Sequence, residues 1–315
     1  MQRSNIFSMT SSTNARANGK LLISGEYLVL AGAKALALPL RFGQSSEVKE
    51  NQDPVIRWTS RQPEGVWFTC ELDPVEIEIN TTNEPATASN LSRLLQAAHQ
   101  LNGLFPGTKT GSIVNVTANY PIEWGLGSSS TLISLVARWA NVDPFSLFRM
   151  VSEGSGYDIA CADRSGMLFY QSDGAQPMIT DAQPGTALRK FAYFVSLGNK
   201  QDSGKEVKSF LNNCRFSSKD LETISGISSQ ICEAQNIDDL SGLVIEHERL
   251  LSRILKKESI ASRFTGFPGT VKSLGAWGGD FAMFICELEK ESVIKLLNEY
   301  GLQYIFTLDE IEAIP

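Results

Sequence analysis

Apolar residues recur along this chain with two different periods. In "IVNVTANY", residues 113–120, Val114, Val116, Ala118 and Tyr120 fall on one side and Asn115, Thr117 and Asn119 on the other. A period of two predicts a half-buried strand, which Pro121 closes. Past a glycine-rich gap, Leu132, Leu135, Val136 and Trp139 recur at helical spacing and predict a helix starting near Ser128. Strand, glycine loop and helix N-terminus therefore follow one another. Short apolar runs predict further strands over 20–24 and 35–40, bounded by Gly25 and Gly32, and over 167–171.

The Gly/Pro/Asp-rich stretch 173–186 predicts a connection, and the domain boundary is placed there, giving domains over 1–180 and 181–315. Beyond it the pattern predicts a strand over 191–197 and helices over about 204–213, 219–234 and 238–257. Strand, helix and strand then follow in "DFAMFICE", "KESVIKLLNEY" and "LQYIFTL". Helices and strands mix without regular βαβ repetition, which predicts an α+β protein.

Composition narrows the classes. With 42% hydrophobic and 20% charged residues, the 315-residue chain has the profile of a globular protein with ample core. A net charge of -7 argues against a nucleic-acid partner but leaves room for a locally cationic anion site. The five cysteines include no CxxC pair, so they read as reduced thiols of a cytoplasmic protein. Two histidines are too few for most His-based metal sites. Residues 1–18 lack the apolar core of a signal peptide, and the run 28–40 is shorter than the roughly 20 residues a membrane span needs. A soluble protein with no membrane partner is expected, and the sequence leaves a homodimer open.

The chemistry concentrates at "GLGSSST", residues 125–131. A helix N-terminus offers unpaired N–H groups and a partial positive charge to an anion. Glycines admit phosphate oxygens close to the backbone, and serine hydroxyls bond phosphate or ligate Mg²⁺. The same residues also suit a plain helix entry with Ser128 or Ser129 as N-cap. The common P-loop is absent: in "GNKQDSGKE", residues 198–206, Glu206 follows Lys205 where Ser or Thr is required. Two other stretches carry polar residues beside tight turns. "NGKLLISGEY" holds Lys20 and the triplet Gly25-Glu26-Tyr27, and "GSGYDIACA" holds Asp158. Singly, Lys20 also suits a solvated strand start and Asp158 a helix cap.

In this order, the three stretches resemble the motifs of the GHMP kinase superfamily, which includes galactokinase, homoserine kinase, mevalonate kinase and phosphomevalonate kinase. Pro121 to Ser129 match its P-x-x-x-G-L-G-S-S loop, and "LGAWGGDFAMF", residues 274–284, resembles its third motif. The resemblance runs over about 18–287. Phosphomevalonate kinases are the nearest: "GKLLISGEY" and "GSGYDIA" stand where they tend to read "GKLLIAGEY" and "GSGFDVA". Mevalonate kinases usually carry His at the Tyr27 position.

The resemblance implies the two-domain GHMP kinase fold, a ribosomal protein S5 domain 2-like N-terminal domain followed by a ferredoxin-like C-terminal domain. It implies an ATP- and Mg²⁺-dependent small-molecule kinase of isoprenoid biosynthesis, with phosphomevalonate ahead of mevalonate as acceptor. A kinase for a sugar or for an amino-acid alcohol such as homoserine, or a nucleotide-binding regulatory protein without turnover, are the alternatives. Gly125, Leu126, Gly127, Ser128, Ser129 and Ser130 would hold ATP, with Ser129 also on the metal. Asp158 would be the base and Lys20 its cationic neighbour. Glu26, Tyr27, Ser155, Gly156, Lys200, Ser203, Gly278 and Gly279 would line the acceptor, with Lys205, Arg16 and Arg41 as further cations. Three departures stand out. Leu147 occupies the place of a metal-binding Glu, leaving Asp143 or Glu153 as substitutes. Trp277 replaces a small glycine, and Trp124 sits inside the loop, as cover or as a nucleotide contact. Cys161, His99 and His247 are assigned no role.

Overall fold

The computed structural model describes residues 12–107, 110–172, 176–198, 203–275 and 279–314. The chain opens with β1 (Ser12–Ser24), β2 (Ala35–Asn51), β3 (Ile56–Gln62), β4 (Gly65–Leu72), β5 (Ile79–Thr82), α1 (Pro85–Leu101) and β6 (Gly111–Ala118). Next come α2 (Ser128–Ala140), α3 (Pro144–Val151), α4 (Tyr157–Ala162), β7 (Leu168–Gln171), β8 (Met178–Asp181), α5 (Thr186–Phe191) and β9 (Ala192–Ser196). The remainder is α6 (Ser203–Asn213), α7 (Ser218–Glu233), α8 (Ile237–Leu255), β10 (Thr270–Leu274), β11 (Phe281–Ile285), α9 (Lys290–Asn298), β12 (Ile305–Thr307) and α10 (Leu308–Ile311). The strand and helix flanking the glycine loop thus form where the two periods predict them. The stretch 173–186 is not a bare connection: it includes β8, which pairs antiparallel with β7 from Leu168↔Asp181 to Gln171↔Met178.

Two compact units interleave in sequence. One comprises residues up to Ala17, Gln44–Pro121 and Leu132–Ser152; the other comprises Asn18–Gly43, Ile122–Thr131 and Glu153–Pro315. The position 180/181 falls inside the second unit.

In the first unit the strands run β5-β4-β3-β6 and then the C-terminal part of β2, with β3 and β6 parallel. Val114 and Val116 are buried while Ile113 and Thr117 are exposed, the half-buried strand that alternation dictates. Helix α1 buries Leu91, Leu94, Leu95 and Ala98 at helical spacing. Trp139 of α2 packs edge-on against Phe105, with ring centroids 4.7 Å apart.

The second unit contains an antiparallel sheet in the order β10-β11-β9-β12. Every residue of β9 and β11 is buried, so these strands read as continuous apolar runs instead of alternating. Tyr193, Val195, Phe264, Phe267, Phe284, Val293 and Leu297 form one core there. Each such aromatic or aliphatic side chain contributes about 1.5–3 kcal/mol by leaving water. Among the described residues no helix is long and apolar enough to cross a membrane.

Candidate active site

The glycine loop, β1 from Asn18 onward, the Asp158 turn and β10 all belong to the second unit. Gly125 and Gly127 have φ of 73° and 91°, a region that side chains disfavour. A Cβ on Gly125 would lie 2.5 Å from Cγ of Asp280, and one on Gly127 would lie 3.1 Å from Cε of Lys20. Both glycines are therefore required by the backbone and by close neighbours. Leu126 points into the core, and its carbonyl accepts the Lys20 N–H at 3.0 Å, pinning the loop to β1. Helix α2 starts at Ser128, and the Thr131 N–H bonds the Gly127 carbonyl at 3.0 Å. The N–H groups of Ser128, Ser129 and Ser130 precede Thr131, whose N–H is the first to donate along the helix, and they form the anion-binding end of α2. Ser129 is exposed and Ser128 half-buried, whereas Ser130 is buried. Trp124 is 8% exposed and packs on Phe42 and Tyr304 at centroid distances of 5.5 and 4.7 Å. It covers the loop.

Asp158 lies in the first turn of α4, after Gly156 with φ 88°. The Ser130 hydroxyl donates to Asp158 Oδ2, and the Ile159 N–H donates to Oδ1 at 3.2 Å. The Tyr170 hydroxyl donates to the Ser155 carbonyl at 2.5 Å and holds the preceding turn. Lys20 Nζ donates to the Gly125 carbonyl at 3.4 Å and stands 5.8 Å from the Tyr157 ring centroid. Among the described residues it makes no ion pair with Asp158. Burial, reinforced by Asp158, Cys161, Glu26 and Asp280, pushes the Tyr157 phenol well above its ordinary range. Burial likewise pushes the Cys161 thiol up, so it is not a reactive thiolate.

Glu26 and Tyr27 turn inward. Glu26 is 2% exposed, accepts a hydrogen bond from the Lys272 ammonium, and lies 2.9 Å from His247 Nε2. Burial alone would raise its carboxyl; Lys272 and His247 outweigh that and hold it at about 2. Lys272 also donates to the Ser273 carbonyl at 2.9 Å, and Ser259 donates to Glu248 beside His247 at 2.9 Å. Tyr27 has φ 60° and ψ -46°, and the Leu28 N–H bonds the Glu26 carbonyl at 2.7 Å. This is a γ-turn of the strained hand, costing about 1–3 kcal/mol. Its ring packs on Phe210 at 5.2 Å. Lys272 and His247 escaped the sequence reading. For His247 a signal exists, because Leu240, Val244, His247, Leu251 and Ile254 share the buried face of α8.

Of the remaining expected residues, Gly279 is buried, while Lys200, Trp277 and Gly278 lie outside the described residues, as does the side chain of Ser203. Arg41 donates to the Asp309 carbonyl at 3.1 Å, and Arg16 belongs to the first unit. Leu147 is fully buried, and Asp143 caps α3 by accepting the Ser146 N–H at 2.7 Å. Glu153 is exposed and 3.7 Å from Lys208. The acid that does reach the loop is Asp280, 7% exposed and against Gly125. The oxygen donors of Ser129, Asp158 and Asp280 suit Mg²⁺. The described residues contain no cluster of three or more His, Cys, Asp or Glu able to hold a metal.

Solved structures share this architecture. The chain is similar to the mevalonate kinase of Methanococcus jannaschii, with 17% identity, a TM-score of 0.66, and 98% of this chain and 100% of that one covered. Phosphomevalonate kinase of Streptococcus pneumoniae in complex with phosphomevalonate and AMPPNP matches with 16% identity, a TM-score of 0.67 and coverage of 94% and 99%. Galactokinase of Lactococcus lactis complexed with galactose matches with 13% identity, a TM-score of 0.64 and coverage of 96% and 94%. No protein-family model and no curated protein matches the sequence. The chain has the GHMP kinase fold that its motifs imply.

Proposed function

We propose that the protein is an ATP- and Mg²⁺-dependent kinase of a small molecule, with phosphomevalonate ahead of mevalonate as acceptor. The observation that carries this reading is the junction of the open α2 N-terminus and the Asp158 carboxylate through Ser130. Phosphoryl transfer needs positioning and charge neutralisation more than covalent chemistry. Gly125 to Ser129 hold the ATP phosphates. The acceptor oxygen attacks the γ-phosphorus, the bond from that phosphorus to the ADP oxygen breaks, and an alcohol proton passes to Asp158. A phosphate acceptor arrives ionised, and Asp158 then orients it. Lys20 supplies positive charge beside the loop. Bound Mg²⁺, held by Ser129 with Asp158 or Asp280, would supply charge neutralisation of the phosphates.

Ser155, Gly156, Lys200, Ser203, Gly278 and Gly279 are assigned to the acceptor, while Glu26 and Tyr27 shape that wall from behind. The phosphomevalonate preference rests on "GKLLISGEY" and "GSGYDIA" and on the similar Streptococcus structure holding phosphomevalonate. Galactose is the second reading, favoured by the similar Lactococcus structure. We assign residues 1–180 to an ATP-binding N-terminal GHMP kinase domain, 181–315 to a C-terminal GHMP kinase domain, and the protein to the cytoplasm.

ADP release measured with phosphomevalonate, mevalonate, galactose and homoserine tests the reading. Phosphomevalonate is expected to give the highest kcat/KM, and Asp158→Asn should lower turnover about 10²-fold or more with ATP affinity kept. A faster rate with galactose would replace the acceptor assignment. ATP binding without ADP release from any acceptor would favour a regulatory protein.

A further inference from the structure

We propose that the Ser130 hydroxyl positions Asp158 and is not a contact to ATP, an inference that rests on the kinase reading above. Three consecutive serines open α2, and exposure separates them: Ser129 is exposed, Ser128 half-buried and Ser130 only 5% exposed. The first two face outward, where an anion can reach them. The third faces inward and gives its hydroxyl proton to Oδ2 of Asp158. A serine has one O–H proton, so Ser130 cannot also donate it to a phosphate. Asp158 is thereby held across the chain by a residue 28 positions away, on the helix that presents the nucleotide loop.

The consequence for the reaction concerns which oxygen is available. Oδ2 is engaged by Ser130, and among the described residues Oδ1 accepts just the adjacent Ile159 N–H, at a looser 3.2 Å. Oδ1 keeps a lone pair for the proton of an alcohol acceptor. The bond fixes the carboxylate's rotation, so that this oxygen faces the acceptor in one orientation. A misplacement of about 1 Å in such a group costs up to roughly 10²-fold in rate.

The test is a cycle of Ser130→Ala, Asp158→Asn and the double variant, with Ser130→Thr as the conservative control. ADP release is followed with the acceptor that turns over fastest, Mg·ATP affinity by calorimetry, and Tm by heating. Ser130→Ala is expected to lower kcat about tenfold, with KM for the acceptor and Kd for Mg·ATP within twofold. Ser130→Thr should restore most of the rate. In the Asp158→Asn background, Ser130→Ala should cost nothing further, because its effect passes through the carboxylate.

Loss of Mg·ATP affinity in Ser130→Ala, or an equal loss of kcat in both backgrounds, overturns the positioning role. So does an unchanged kcat. Those failures leave the kinase reading intact so long as the wild type releases ADP with one of the acceptors. An active Asp158→Asn removes Asp158, and Ser130 with it, from the mechanism, whereas no ADP release from the wild type with any acceptor sinks the kinase reading itself. The Tm cycle needs no acceptor and takes Asp158→Ala as its partner, because the amide oxygen of Asn would still accept from Ser130. The double variant should lose no more Tm than the more damaged single variant, and additive losses would dismiss the bond.

Discussion

Glu26 keeps its charge in a place water does not reach, and that has a cost its partners must cover. Its carboxyl sits at about 2, against an ordinary value of 4.5. A carboxyl lowered on folding stabilises the protein above its ordinary value, and the benefit fades as pH falls through the folded value. The window is therefore pH 4.5 down to about 2, and the shift corresponds to about 3 kcal/mol at neutral pH. Lys272→Met removes one cation and leaves the buried carboxylate with His247 alone. Breaking a buried pair in this way costs about 3–5 kcal/mol. Urea unfolding at pH 7 should show that loss, and the variant's stability should fall less steeply than the wild type's between pH 4.5 and 2. An unchanged midpoint would mean the pair contributes nothing net. The same cluster explains why Glu26 misleads a reader of the sequence. A Gly-Glu-Tyr turn looks like a set of outward contacts, and nothing local reveals that Lys272 and His247, more than two hundred residues away, close over it.

At the scale of elements, the glycine loop is where sequence and structure agree most closely. Strict alternation at 113–120 and helical spacing after Ser128 are local signals, and β6 and α2 form where those signals fall. Strands β3, β4 and β5 were not legible. "IRWTSRQ" does alternate, Ile56, Trp58 and Ser60 inward and Arg57, Thr59 and Arg61 outward, but its two apolar residues are too short a run to stand out, and pairing with β4 and β6 completes the strand. The glycine loop also makes the sharper test. Gly127→Val would place a branched side chain at φ 91°, with its Cβ 3.1 Å from the Lys20 stem. Such a residue resists this backbone region, so the loop must move and take its N–H groups with it. Affinity for Mg·ATP should fall more than about tenfold, a loss exceeding 1.4 kcal/mol, while circular dichroism keeps the native signal. Normal affinity would reduce the loop to a helix entry.

For the whole molecule, the decisive fact is that one unit gathers chain from Asn18–Gly43, Ile122–Thr131 and Glu153–Pro315. Its candidate site is held by contacts between those segments, such as Lys20 to Leu126 and Ser130 to Asp158. Composition and periodicity act over a few residues and cannot report such pairings; only the ordered motifs hinted at them. A ligand seated where three segments meet must stabilise all three against unfolding. At a hundred times its Kd it adds about 2.7 kcal/mol, which raises Tm by several degrees in a protein of this size. Mg·ATP should therefore raise Tm, whereas ATP with EDTA should raise it less. Asp280 lies against Gly125, and a triphosphate there without a cation faces a buried carboxylate. The Gly127→Val variant should show neither shift. Equal shifts with and without Mg²⁺ would remove the metal from this site, and no shift at all would remove the nucleotide.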